Sequence, residues 1–126
     1  MGKKKILLVD DSNTALMAER MMLSKLPIDI VIATNGEEAV LKALAERPDL
    51  ILMDVVMPKM SGFDACRALR AQAETCSIPI IMVTTRGEPQ NVETGFDAGC
   101  TDYITKPINS LELMAKLKSH LGELGR

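Results

Sequence analysis

The sequence predicts an α/β fold: a doubly wound, five-stranded parallel sheet with five helices covering both faces. Three observations carry this. Strand-like and helix-like segments alternate five times in 126 residues. The strand-like segments are mostly continuous apolar runs, as expected of strands buried on both faces. Several of these runs stop abruptly at a charged or hydroxyl residue, namely Asp10, Asp54, Thr84 and Lys106. The length fits one compact domain over residues 1–126.

Ile6-Leu7-Leu8-Val9 is the first buried-type strand and ends at Asp10-Asp11. Ser12 caps a helix that is expected to run to about Leu26, with Leu16, Met17, Met21 and Met22 or Leu23 as its apolar stripe and Pro27 as its stop. Ile28 to Ala33 is the second strand. Asn35-Gly36 turns into a second helix capped by Asn35, with Glu37 and Glu38 in the first turn, where the helix dipole favours acids. Ala39, Val40, Ala43 and Leu44 line its inner face, and Pro48-Asp49 closes it.

Leu50-Ile51-Leu52-Met53 then runs apolar and stops at Asp54; Pro58, Ser61 and Gly62 break the run. Ser61 caps a third helix reaching about Ala73, with Phe63, Cys66 and Leu69 inward. Ile78 to Val83 is the fourth strand, closed by Thr84-Thr85. A helix from about Glu88 to Ala98 carries Val92 and Phe96 and stops at Gly99. Asp102-Tyr103-Ile104 begins a short fifth strand that ends at Lys106-Pro107. Asn109 with Glu112 is a capping-box pattern opening a last helix, with Leu113, Leu117, Leu121 and Leu124 on one side.

Aromatic residues make up only 2%, so the core is built from Leu, Ile, Val, Ala and nine Met. A formal net charge of −2 argues against non-specific nucleic-acid binding. No apolar stretch reaches the length of a membrane span. Met1 to Lys5 is basic, but the apolar run behind it is too short for a signal peptide, and Ile6 breaks the myristoylation pattern. The expected location is the cytoplasm. Cys66, Cys76 and Cys100 lack metal spacing and read as reduced packing residues.

In an open α/β sheet, chemistry sits in the crevice beyond the carboxyl ends of the strands. Asp10, Asp11, Asp54, Thr84 and Lys106 would all meet there. Two carboxylates about 4 Å apart repel by about 4 kcal/mol at an effective dielectric near 20. Three need a counter-charge. Mg²⁺ suits a site with few protein carboxylates and several waters. Lys106 adds an ammonium and Thr84 a hydroxyl donor, a set built to hold a phosphoryl group, with one carboxylate as nucleophile. Each residue also has a plainer reading. Asp10-Asp11 can be a capping acid and its neighbour, Thr84 a turn residue, Lys106 a solvated lysine and Tyr103 a half-exposed packing residue on an edge strand. Their joint placement favours the site.

The chain resembles the response-regulator receiver domain, of the single-domain, chemotaxis response-regulator type. The resemblance rests on Leu8-Val9-Asp10-Asp11-Ser12, Met53-Asp54-Val55-Val56-Met57-Pro58, Met60-Ser61-Gly62, Ile81-Met82-Val83-Thr84, and Gly99 with Asp102-Tyr103-Ile104-Thr105-Lys106-Pro107. It covers residues 4 to 122. It implies a flavodoxin-like sheet in the order 2-1-3-4-5. It also implies that Asp54 is the phosphoacceptor, and that Asp10, Asp11, Asp54 and the Val56 backbone carbonyl hold Mg²⁺. Lys106 would bind the phosphoryl group and join Pro107 through a cis peptide bond. Thr84 would swing toward the phosphate and Tyr103 inward, altering the face made by the fourth helix, fifth strand and last helix. The implied partners are a sensor histidine kinase or phosphotransfer protein, which docks near Leu16, Met17 and their exposed neighbours, a downstream target protein and a phosphatase. Nucleic acid and membrane are not expected partners. The expected state is a monomer or weak homodimer.

Val56 and Arg86 stand at positions that tune the lifetime of the phosphate in this family. An apolar Val56 is expected to shield the acyl phosphate and slow its loss. His120 is the only histidine, and the dipole at the end of the last helix would favour its charged form. An aspartyl-phosphate phosphohydrolase would need a second acid two residues after the nucleophile, where Val56 cannot transfer a proton. A flavin or nucleotide domain would need a Gly- or Ser/Thr-rich phosphate loop in place of Asp10-Asp11-Ser12. A receiver fragment of a larger regulator or hybrid kinase is the remaining alternative.

Overall fold

The computed structural model describes residues 3–57, 60–85 and 89–122. The order is β1 (Lys4–Val9), α1 (Asn13–Leu23), β2 (Ile28–Ala33), α2 (Gly36–Glu46), β3 (Leu50–Asp54), α3 (Gly62–Arg70), β4 (Ile80–Thr85), α4 (Pro89–Ala98), β5 (Asp102–Lys106) and α5 (Ser110–Leu121). All strand pairs are parallel, in the order β2-β1-β3-β4-β5. β3 lies at the centre, and each of its five residues is buried.

The alternation of side chains along each strand divides the core into two layers. Leu7, Val9, Ile51, Met53, Ile80 and Met82 pack against Ala39 and Ala43 of α2, Ala65, Cys66 and Leu69 of α3, and Ala98 of α4. Ile6, Leu8, Leu50, Leu52, Ile81 and Val83 pack against Leu16 and Leu23 of α1 and Leu113 and Leu117 of α5. Small residues on α2 and α3 let those helices sit close to the sheet. Ser12, Asn35, Ser61 and Asn109 cap their helices by accepting hydrogen bonds from backbone N–H groups two or three residues on.

Several boundaries differ from the sequence expectation. α1 stops at Leu23 with Ser24 as its cap, before Pro27. α2 stops at Glu46 because Arg47 takes a left-handed conformation (φ 50°), before Pro48. α3 ends at Arg70 and the chain continues in turns, so β4 starts at Ile80 rather than Ile78. The stripe of α1 is also different. Met17 and Met21 are 64% and 71% exposed, and the inward residues are Leu16, Glu19 and Leu23. Leu16 is therefore core rather than docking surface. Phe96 is half-exposed. Cys66 and Cys100 are buried in the core, but Cys76 is exposed and is not a packing residue. Pro58, Arg86, Glu88 and Leu124 lie outside the described residues.

Candidate functional site

The parallel sheet places the strand ends side by side. Val9 is in register with Met53, Asp54 with Val83, and Thr84 and Thr85 with Thr105 and Lys106. Asp10 follows β1, Asp54 closes β3 and Lys106 closes β5, so the strand-end rule brings them together. Gly62 makes the return tight. Its N–H donates to the Val55 carbonyl at 2.8 Å, and a Cβ there would strike the Asp54 carbonyl oxygen. Only a residue without a side chain lets α3 start against the end of β3.

The Lys106 ammonium lies 3.1 Å from Asp54 Oδ1 and 3.5 Å from Asp10 Oδ2. Asp10 Oδ1 accepts the Ser12 N–H at 2.9 Å, while Asp10 Oδ2 is buried with an ion pair but no hydrogen bond among the described residues. Thr84 is buried, and its Oγ1 likewise has no hydrogen-bond partner there. Asp10, Asp11 and Asp54 each offer a carboxylate oxygen, and these oxygens lie within 4.8 Å of one another. Lys106 pairs with two of these three acids. Burial first, and then Asp10, push the Asp54 pKa up, against the opposing pull of Lys106. Burial disfavours the charged form of Lys106, but its contacts with Asp54 and Asp10 outweigh this and hold its pKa above the ordinary value. The all-oxygen donor set and the orphaned Asp10 Oδ2 fit a hard divalent cation such as Mg²⁺.

A second cluster lies on β5 and α5. Asp102 accepts from Lys116 at 2.8 Å and sits 3.1 Å from His120 Nε2. Burial opposes ionisation of Asp102, but these partners and the Tyr103 N–H pull its pKa below the ordinary value. The Lys116 ammonium lies 5.6 Å from the centre of the Tyr103 ring, and Phe96 meets that ring edge-on with centroids 6.1 Å apart. Tyr103 is half-buried, as its edge-strand position implies. The Lys106–Pro107 peptide bond is cis.

Sequence reasoning brought Asp10, Asp11, Asp54 and Lys106 into one site, with Thr84 on the strand beside Asp54. It missed Glu19, which is buried on α1 with its pKa pushed up to about 8, by burial first and then by Asp10. The available signal was the spacing of Leu16 and Leu23, which turns position 19 inward. It also missed the ties of Asp102 to Lys116 and His120.

The model of the response regulator receiver domain matches residues 6–118. Protein PilH of Pseudomonas aeruginosa is 40% identical over 117 residues, which span 93% of this chain and 97% of PilH. The alkaline phosphatase synthesis transcriptional regulatory protein PhoP of Bacillus subtilis is 39% identical over 94% of this chain, but over only 48% of its own length. The chain thus spans about half the length of several curated relatives it matches. Among solved structures, the receiver domain of sensor histidine kinase PA1611 of Pseudomonas aeruginosa superposes with a TM-score of 0.89. It is 33% identical, covers 97% of this chain and 100% of that one, and carries a magnesium ion in its active-site cleft.

The chain belongs to the response regulator receiver family. Its class is the phosphorylation-dependent switch of two-component signalling, a signalling module. Among the described residues, no helix is long and apolar enough to cross a membrane.

Proposed function

We propose that Asp54 is the phosphoacceptor of this switch. The reading rests on one observation: Asp54 ends the central strand with Lys106 3.1 Å away and with the carboxylate oxygens of Asp10 and Asp11 within 4.8 Å of its own. Asp10, Asp11, Asp54 and the Val56 backbone carbonyl are the groups assigned to hold Mg²⁺. When bound, Mg²⁺ supplies the positive charge that offsets these acids and the incoming phosphoryl oxygens. An ionised Asp54 oxygen attacks the phosphorus of a phosphohistidine or small phosphodonor. The new O–P bond forms as the donor's bond to phosphorus breaks, and the electron pair leaves with the donor. Lys106 and the Thr84 hydroxyl, unpartnered among the described residues, bind the transferred phosphoryl group.

Moving Thr84 opens space beside Tyr103, and the change is read on the face of α4, β5 and α5 by a target protein. A sensor histidine kinase or phosphotransfer protein supplies the phosphoryl group, a phosphatase can remove it, and the switch works in the cytoplasm. The likeness to PilH favours a chemotaxis- or motility-type system. A phosphohydrolase is disfavoured because Val56 stands where a second acid would be needed.

The test is incubation with Mg²⁺ and a small phosphodonor. One base-labile phosphoryl group should appear on the wild-type protein and none on Asp54→Asn. Continuous release of phosphate with no lasting adduct would favour the hydrolase.

A further inference from the structure

Glu19 has no part in the mechanism above, yet it is 3% exposed and its Oε1 has no hydrogen-bond partner among the described residues. It stands between Leu16 and Leu23 on the inward face of α1, where a leucine would complete the stripe. An unpartnered buried carboxyl destabilises a fold, and such a cost persists where the group has another use. Glu19 lines a groove of about 270 Å³ between α1 and the turn after β5, together with Ala15, Ala18, Met22, Lys106 and Ile108. The charged groups acting on it are Asp10 after β1, Asp54 on β3 and Lys106 on β5; only Lys106 favours its ionised form.

An ammonium has three donor hydrogens. Lys106 directs its charge at Asp54 and Asp10, and the groove it shares with Glu19 holds a further acceptor, Glu19 Oε1, which has no hydrogen-bond partner among the described residues. A cation entering among Asp10, Asp11 and Asp54 competes with Lys106 for the same oxygens. We propose that Glu19 is a positioning residue for Lys106: it takes the ammonium when a divalent cation claims the Asp10 and Asp54 oxygens. The lysine then stays at the mouth of the site instead of swinging into solvent. Burial and the neighbouring acids, which push the Glu19 pKa up to about 8, keep its carboxyl neutral before the cation arrives, so it does not draw Lys106 away early. The proposal rests on the metal-site reading but not on phosphorylation.

The experiment follows the Lys106 ε-carbon by NMR during titration with Mg²⁺ alone, with the signal assigned by its loss in Lys106→Met. The wild type, Glu19→Gln and Glu19→Leu are compared. Leucine completes the apolar stripe and should fold, and the isosteric glutamine is the second variant. In the wild type, Mg²⁺ should move the Lys106 signal. In Glu19→Leu the Lys106 signal should move instead to the position of a solvent-exposed lysine, and Mg²⁺ should bind about threefold more weakly or worse, the worth of one hydrogen bond. Glu19→Gln, which keeps an acceptor oxygen, should fall between. An unchanged Lys106 shift and unchanged Mg²⁺ affinity in Glu19→Leu overturn the proposal. A wild type that binds no Mg²⁺ overturns it together with the metal-site reading, while failure of Asp54 to accept phosphate leaves the NMR result decisive for Glu19.

Discussion

Replacing Lys106 by methionine removes the cation that faces Asp54 and Asp10 and leaves a side chain of similar length. At 3.1 and 3.5 Å, the gross attractions at an effective dielectric near 20 are about 5 kcal/mol each. The net effect is smaller, because the lysine side chain is 35% exposed and solvent screens it. Losing one partner of such a pair strands the buried acids, and the expected cost here is about 3 kcal/mol. Urea unfolding near neutral pH, in chelator, measures it. The lysine pKa is raised in the fold, so its contribution is complete below the ordinary lysine value and is lost as pH rises through the raised one. Neutral pH therefore reports it in full. Mg²⁺ and Lys106 compete for the same oxygens, so Mg²⁺ should bind Lys106→Met more tightly than the wild type. Saturating Mg²⁺ stabilises both proteins, so the gap should narrow by the ratio of their affinities, about 1.4 kcal/mol for each tenfold by which Lys106→Met binds more tightly. An equal gap with and without Mg²⁺, or no gap in chelator, would refute the reasoning.

Glu19→Leu should stabilise the protein, and increasingly so with pH. The folded pKa of about 8 lies above the ordinary 4.5, so wild-type stability falls as pH rises from the lower value through the higher. The gap in urea unfolding free energy between Glu19→Leu and wild type should widen by about 3 kcal/mol from about pH 6 to about pH 9. Gly62→Ala, whose Cβ would strike the Asp54 carbonyl, should lose about 2 kcal/mol in the same assay and accept phosphate more slowly. Val56→Asn should shorten the phosphate lifetime, timed by loss of the adduct after the phosphodonor is removed. A wild-type lifetime of a few seconds, or no shortening, would count against shielding by Val56.

The strand ends were legible because a buried apolar run announces its own stop. The apolar run of Leu50 to Met53 stops at the carboxylate of Asp54, and the same logic placed Asp10 and Lys106. Helix lengths were less legible. Pro27 and Pro48 read as stops, but Ser24 and the left-handed Arg47 end those helices first. Methionine misled on α1. Met17 and Met21 count as apolar, yet the helix turns them to solvent and Glu19 inward, since packing against the sheet decides the face and Leu16 and Leu23 set it. Contacts between distant elements left no local trace. Arg70 donates to the Gly99, Cys76 and Ile78 carbonyls, tying α3 to the loops that flank β4 and α4. Nor could spacing show that Asp102 on β5 gathers Lys116 and His120 of α5.

The most direct measurement is the intact mass and peptide map of the protein after exposure to a phosphodonor, with Mg²⁺ and with chelator. One added phosphoryl group is expected, located on Asp54, dependent on the divalent cation and weakened by Asp11→Asn. A phosphoryl group on another residue, or equal labelling of Asp54→Asn, would contradict it.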